Sequence, residues 1–465
     1  MATVTSYGAA EVVTGSCHLL AIEGGPRILI DCGMFQGPEE ERNFGPFHFE
    51  PYEIDYLFLT HAHLDHTGRV PKLLKEGFSG VIYATEATRD LSEIIWLDSA
   101  KIMKEDYETN YKKAQRRGTE EEVREPLYTE EDVDATLSLT WRYPEYNKTF
   151  EPVEGLKVTY RDAGHILGSA FIEITYLERG VEQTIVFSGD IGNGNDMVMP
   201  DLATCAHANY LYVESTYGDR NHQSTEATIA EFKRIVIDTL NDWGNVLIPS
   251  FAVERTQEIL CILKEMYDRK ELPQCKVFLD SPMATRATQV YNNYSNMLND
   301  KCQDIKKREG TIFDFEALTY TPDVEASKAI NEVDRRAIII AGSGMCTGGR
   351  ILHHFKNRLW NRKNAVIFVG YQVEGTLGRH MVDGARWVRI YREDILVRAS
   401  VHTINGFSAH ADQSAIVKWI SQMEDLRRIF LIHGEENKQV ILRSVLENTF
   451  DQKVHIVEPE EVIYL

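Results

Sequence analysis

Tyr56-Leu57-Phe58-Leu59-Thr60-His61-Ala62-His63-Leu64-Asp65-His66-Thr67-Gly68 ends an apolar run at Thr60 and then sets three imidazoles and a carboxylate within six positions. The helix-like Val70-Pro71-Lys72-Leu73-Leu74-Lys75 follows. This order reads as a strand delivering ligands onto a loop. In a turn, the side chains at 61 and 63 can converge on one point and those at 65 and 66 on another, so one segment can serve two metal ions. Neutral imidazole with carboxylate suits zinc at a reactive site, whereas structural zinc more often takes thiolates. The bland alternative is a polar loop with scattered histidines.

A chain of 465 residues exceeds what one core normally fills, so two domains are expected. Hydrophobic content of 43% and charged content of 26% belong to a soluble globular protein. No apolar run approaches membrane-spanning length, and Met1-Ala2-Thr3-Val4-Thr5 does not begin a basic stretch followed by an apolar one. The expectation is a cytoplasmic protein without a membrane partner. Seven cysteines without a C-x-x-C pair fit a reducing compartment and argue against a disulfide framework. A net charge of −21 weighs against nucleic-acid binding by charge alone, although a local basic groove beside metal ions can still attract a phosphodiester.

Residues 3–33 read as two or three short strands. They run through Glu11-Val12-Val13-Thr14, then Cys17 to Ile22, a Glu23-Gly24-Gly25-Pro26 turn, and Arg27 to Gly33. Asp31 closes an apolar strand, where a carboxylate needs partners; it is either a cap or a group that orients a ligand from behind. Residues 86–148 are helical and charged, with Thr129-Glu130-Glu131-Asp132 as a capping signal. Strands resume at 156–160, 170–174 and 184–187, beside His165 in a glycine-flanked loop and Asp190 at a strand end. A lone residue of either kind is more often structural, but two ions would otherwise be short of ligands.

From residue 211 apolar strands alternate with helices, which implies a parallel, doubly wound sheet; after about 380, alternating strands complete the first domain. The expected division is 1–214, an inserted domain 215–380, and 381–465. The loop Gly342-Ser343-Gly344-Met345-Cys346-Thr347-Gly348-Gly349-Arg350 lies between strand and helix and lacks the Gly-Lys-Ser/Thr ending of a P-loop. A tight turn and a phosphate cradle both fit it. Arg255, Ser343, Gly344 and Arg350 are the candidate phosphate contacts.

The H-x-H-x-D-H run after an apolar strand resembles the signature of the metallo-β-lactamase superfamily. Glu214 in Val213-Glu214-Ser215-Thr216, His410 in Gly406-Phe407-Ser408-Ala409-His410-Ala411-Asp412, and His433 in Leu431-Ile432-His433-Gly434-Glu435 resemble motifs A, B and C of its β-CASP branch. The segments 250–257, 280–284 and 342–350 are also similar to that branch. It contains the nuclease subunit of pre-mRNA cleavage and polyadenylation and its short bacterial and archaeal relatives. The resemblance implies an α/β fold, an αββα sandwich with an inserted doubly wound β-CASP domain. It implies two Zn²⁺, with His61, His63 and His165 on one, Asp65, His66 and His433 on the other, Asp190 bridging, and Asp31 holding a ligand's far side. A histidine in motif C goes with RNA-cleaving members, and the resemblance leads to the expectation of the compact catalytic unit without the added terminal domains of longer relatives.

The expected activity is hydrolysis of single-stranded RNA between the lobes to 5′-phosphate and 3′-hydroxyl ends, with weak cleavage of single-stranded DNA allowed and a homodimer left open. Two ions can clamp an in-line displacement by water, so no ribose hydroxyl is needed as nucleophile. Zinc ligands cannot protonate the leaving 3′-oxygen. His410 is the candidate acid, with Glu214 raising its pKa. Asp65 and Asp190 join them as catalytic carboxylates. The competing readings are a hydrolase of a small ester, thioester or lactam, which leaves the inserted domain and His410 unexplained, and a non-catalytic scaffold, which leaves the ligand set unexplained.

Overall fold

The strand Tyr56–Phe58 is buried on both faces. Leu57 and Leu59 pack outward against Val70, Leu73 and Trp96, while Phe58 points inward among Tyr160, Ile172 and Phe187. This two-sided burial explains why the stretch is a continuous apolar run and lacks a strict alternation. The computed structural model describes residues 1–370, 372–404 and 406–465. The chain divides into two units: Met1–Gly194 with Asp201–Asn221 and His410–Leu465, and Asn195–Pro200 with His222–Ala409.

The first unit holds two seven-stranded sheets. One runs in the order Val462–Tyr464, Ala2–Gly8, Cys17–Ile22, Arg27–Ile30, Tyr56–Phe58, Val81–Tyr83, Trp141–Arg142. The other runs Lys453–Ile456, Arg428–Ile432, Tyr210–Glu214, Val181–Phe187, Ala170–Glu178, Leu156–Asp162, Thr149–Val153. Their facing sides share one core, in which Val4, Leu20, Ile30 and Phe58 meet Val158, Ile174, Ile185, Tyr212 and Phe430. The outer face of the first sheet packs on Trp96 and Val133 of its helices and on Tyr128 of the loop between them, and that of the second on Ile416, Trp419, Leu442 and Leu446. The result is the four-layer αββα sandwich.

The second unit is built on a six-stranded sheet in the order Leu318–Tyr320, Lys276–Leu279, Ala337–Ala341, Val246–Pro249, Ala365–Phe368, Ser400–Thr403. Every pairing in it is parallel. The chain enters near the middle, winds to one edge, returns, and then winds to the other, as a doubly wound sheet does.

Three local expectations differ from the structure. Residues 11–14 form a loop, because Ala9 and Glu11 take left-handed φ of 51° and 58°, which interrupts extended backbone. The first strand is instead Ala2–Gly8, with alternating burial. The strand Ser400–Thr403, expected to return to the first domain, adds in parallel to Ala365–Phe368, so the second unit continues to Ala409 rather than ending near 380. The helical reading of 86–148 holds over Glu86–Gln115 and Glu130–Leu137, where Thr129 with Asp132 forms the reciprocal capping box, but Trp141–Arg142 is instead a strand pairing with Val81–Tyr83. All seven cysteines are free thiols, and no helix among the described residues is long and apolar enough to cross a membrane.

Phe58 is fully buried between the two sheets. Phe58→Ala is expected to destabilise the first unit by about 3–5 kcal/mol, read as a lower denaturant midpoint for its transition. A midpoint unchanged from wild type would contradict this packing.

Candidate metal centre

The site forms where strands of both sheets end. In the first sheet Ile30 pairs in parallel with Phe58, so Asp31 and the Thr60-His61 step leave the sheet side by side, and Asp31 N–H donates to the Phe58 carbonyl at 2.9 Å. In the second sheet Val181–Phe187, Tyr210–Glu214 and Arg428–Ile432 are parallel neighbours. Asp190, Glu214 and His433 therefore emerge along one edge. His165 comes from the loop between Leu156–Asp162 and Ala170–Glu178. Carboxyl ends of parallel strands are where α/β sheets gather functional side chains.

The side chains separate into two groups. His63 Nδ1 lies 3.1 Å from His61 Nε2 and 3.2 Å from His165 Nε2. Asp190 Oδ2 lies 3.5 Å from His61 Nε2 and 3.6 Å from His165 Nε2. In the other group, His433 Nε2 lies 3.2 Å from His66 Nε2 and 3.6 Å from Asp65 Oδ2. Asp190 Oδ1 lies 3.3 Å from His66 Nε2 and 3.5 Å from His433 Nδ1. The two groups could each hold a metal ion, with Asp190 reaching both.

The residues fit a zinc-type cation on three counts. Ring nitrogens meeting at this distance leave lone pairs facing one another, which a cation resolves. Asp190 Oδ1 is buried without a hydrogen bond of acceptable geometry. The donors are imidazole and carboxylate, the set used at zinc sites with an open position. Protonation agrees for most of them. Burial and the neighbouring His66 hold His61 well below the usual histidine range, and burial brings His63 to about 4. For Asp65, burial alone would raise the carboxyl, but His433 and His66 outweigh it and bring it to about 2. Asp190 is likewise held well below its ordinary value, its histidine neighbours overcoming burial. His66 goes the other way: burial would lower it, yet Asp190 and Asp31 keep it protonated, so a metal must compete with that proton.

Behind the ligands lies a layer of hydrogen bonds. Asp31 takes His66 Nδ1 at 2.7 Å and accepts from Thr60 N–H and Thr60 Oγ1, both at 2.8 Å. Glu214 Oε1 accepts from Ile191 N–H at 2.7 Å, and Glu214 N–H donates to Ser188 Oγ at 3.0 Å. Glu214 also meets His410 Nδ1, at 3.0 Å through Oε2. The His410 segment is tied down by Ala411 N–H to the Ile191 carbonyl at 2.7 Å and Asp412 N–H to Asn193 Oδ1 at 2.9 Å. Thr216 Oγ1 reaches His433 Nδ1 at 3.1 Å. Sequence reading missed Thr60, Ser188 and Thr216; the available signal was a hydroxyl one or two positions from a ligand or acid at each strand end.

The four candidate phosphate contacts fare differently. Arg255 is buried and its guanidinium is bound by Glu258 and by Glu254 at 3.3 Å, so it is not presented to a ligand. Arg350 donates to Asp280 at 2.7 Å and to the Thr321 carbonyl at 2.9 Å. Ser343 Oγ accepts from Thr347 N–H at 3.1 Å and Gly348 N–H at 3.3 Å, taking the amides that an anion would need. Gly344 packs against the Phe251 ring. The loop is a tight turn closed by its own hydroxyl, which corrects the phosphate-cradle reading.

Asp31→Asn is expected to weaken zinc binding about 10–100-fold with the fold intact, because the charge that orients His66 is removed. Competition with a chelator at fixed pH measures it, and unchanged affinity would contradict the role. Gly33→Ala tests the same segment from the backbone side: a Cβ there would lie 1.6 Å from the Asp65 carbonyl oxygen, so the ligand loop must shift. It should lose zinc more completely than Asp31→Asn.

Comparison with known proteins gives the family. A metallo-β-lactamase superfamily model matches residues 10–156, a Beta-Casp domain model residues 256–381, and a model described as a Zn-dependent metallo-hydrolase RNA specificity domain residues 394–457. The chain is 42% identical over 443 residues to ribonuclease TTHA0252 of Thermus thermophilus, covering 95% of each. It is 30% identical over 465 residues to transcription termination factor FttA of Methanocaldococcus jannaschii, covering 97% of this chain and 70% of that one. With FttA of Thermococcus kodakarensis the identity is 32% over 467 residues, covering 96% and 69%. The chain therefore belongs to the β-CASP family of metallo-β-lactamase-fold hydrolases.

Proposed function

We propose that the protein is a two-zinc ribonuclease that hydrolyses phosphodiester bonds of single-stranded RNA in RNA processing or decay, leaving 5′-phosphate and 3′-hydroxyl ends. The carrying observation is the shared Asp190 carboxylate, one oxygen facing His61 and His165 and the other facing His66 and His433. His61, His63 and His165 would hold one ion, Asp65, His66 and His433 the other, and Asp190 both. Zinc there supplies Lewis acidity toward a phosphodiester and its attacking water. RNA as the substrate class is supported by a relative named a ribonuclease and by a matched domain named for RNA specificity. The seven free thiols fit a reducing compartment, and we assign the protein to the cytoplasm.

What the chain's own residues add is departure of the 3′-oxygen. Glu214 is fixed by the Ile191 amide and in turn orients the His410 ring through Nδ1. Burial would push His410 down, but Glu214 and Asp190 hold it up at about 9, so the ring carries its proton at neutral pH. With Nδ1 on Glu214, Nε2 is the atom from which the proton passes to the leaving oxygen.

Three outcomes test the reading. Elemental analysis should find two zinc ions per chain; a single tight ion with no second under zinc titration would contradict the shared carboxylate. His410→Ala should keep its zinc and bind RNA nearly as well, yet cleave about a hundredfold to ten-thousandfold more slowly. A substrate with a 3′-bridging sulfur, whose leaving group needs no proton, should recover much of that rate. Equal slowing of the sulfur substrate would remove His410 as the acid. RNA methylated at the scissile 2′-oxygen should still be cut, and mass spectrometry of the products should give 5′-phosphates; a 2′,3′-cyclic phosphate would overturn the mechanism.

A further inference from the structure

The second unit carries a feature that the metal centre does not use. Trp387–Ile390 and Glu393–Leu396 form a two-stranded antiparallel hairpin. Val388, Ile390 and Ile395 face inward and are buried with Phe355, Leu359 and Met381. Because side chains alternate, Trp387 and Arg389 face outward on the first strand. Trp387 is 58% exposed and Tyr391, at the turn, 54% exposed. A single exposed aromatic is ordinary, but here two lie within five positions on one hairpin, and clustered apolar exposure marks a binding surface.

The charge is equally unusual. In a chain of net charge −21, residues 386–398 hold four arginines, Arg386, Arg389, Arg392 and Arg398, against two acids. All four are exposed, and none forms an ion pair within 4.0 Å among the described residues. Of the two acids, Glu393 is engaged by Lys356 at 2.5 Å, and Asp394 lies opposite Arg389 in the ladder without closing a bridge. The turn itself is Tyr391-Arg392, with φ of 49° and 67°. Two consecutive left-handed positions favour Asn-Gly, and bulky residues there are strained. The Tyr391 ring is held in place by His353, with hydroxyl to Nε2 at 3.1 Å and ring centroids 4.8 Å apart. Strain kept at a turn that displays an aromatic and a cation points to use of those side chains.

We propose that this hairpin binds single-stranded RNA, with bases stacking on Trp387 and Tyr391 and phosphates held by Arg386, Arg389, Arg392 and Arg398. Aromatic platforms flanked by unpaired cations are how sequence-tolerant single-strand binding is built. An acidic protein or a second copy of this chain would use the cations but has no need of paired stacking faces. The proposal rests on the reading that RNA is the substrate.

Fluorescence anisotropy with a labelled single-stranded RNA of about twenty nucleotides, in the slow-cleaving His410→Ala background, tests it. Trp387→Ala should weaken binding about fivefold or more. The triple variant R389A/R392A/R398A should flatten the slope of log affinity against log salt by roughly two, and R389K/R392K/R398K should restore it. In the otherwise native enzyme these changes should raise KM for RNA and leave kcat unchanged, with melting temperatures unaltered because the side chains are exposed. Unchanged affinity and salt slope in an enzyme that cuts RNA would overturn the hairpin site while leaving the ribonuclease reading intact. A native protein that neither binds nor cuts RNA would overturn both. Sedimentation that changes from dimer to monomer in the variants, with RNA affinity unaltered, would make the hairpin an interface between copies and overturn the proposal.

Discussion

Asp190 sits almost wholly buried with ring nitrogens of five histidines, 61, 66, 165, 410 and 433, within 4.0 Å of its carboxylate. A lone carboxylate out of water is costly, and the cost is offset here only because every neighbour is a potential cation or a metal ligand. Asp31, Glu214 and Asp65 add further carboxylates to the same region, so the electrostatics of the first unit's core edge balance only with positive charge among them. Imidazolium supplies some of it, at His66 and His410. The mutually facing nitrogens of His61, His63 and His165 cannot all do the same, and they mark where a metal supplies the rest.

That balance depends on backbone that does not give. Of the candidate ligands, His61, Asp190 and His433 follow the ends of parallel strands packed on both faces, and His165 sits on the loop between two antiparallel ones, so the packed sheets hold their main chains. Ser16 N–H to the Asp65 carbonyl and Cys32 N–H to the His66 carbonyl, both at 2.8 Å, bind the ligand loop back onto the neighbouring chain. Gly33 leaves room for that approach, since any side chain there would collide with the Asp65 carbonyl. The orienting hydrogen bonds of Asp31 and Glu214 then act on side chains whose main chains are already fixed.

Much of this was legible in the sequence because it rests on local pattern. The apolar run ending in His-x-His-x-Asp-His, the strand-end positions of Asp31 and Asp190, and the strand-helix alternation after residue 211 each follow from periodicity and ligand chemistry within a short window. The capping box at Thr129 was equally local. What was not legible depends on partners distant in sequence. Arg255 and Arg350 look like available cations until Glu258 and Asp280 are found beside them. Ser343 looks like a phosphate ligand until its own loop folds back on it. The strand Ser400–Thr403 joins the second unit because an unfilled parallel edge at Ala365–Phe368 accepts it, which its alternating sequence does not reveal.

The pairing of Glu214 with His410 shows how topology can stand in for local sequence. The two residues are separated by 196 positions, and bringing them together through an unstructured loop of that length would cost roughly 5 kcal/mol of closure entropy. The first unit stitches the exit and the return of the chain directly. Gln413 N–H donates to the Arg220 carbonyl at 3.1 Å, Gln413 Nε2 to the Gly218 carbonyl at 2.7 Å, and Ser414 N–H to Asn221 Oδ1 at 3.1 Å. Tyr217 and Asp412 add a parallel bridge. Between these points lies a unit with its own six-stranded sheet, so ordering of the intervening chain is sustained by its own core rather than charged to the site. His410 and Glu214 thus stand where the chain rejoins and leaves the first unit, and hydrogen bonds within that unit fix their separation.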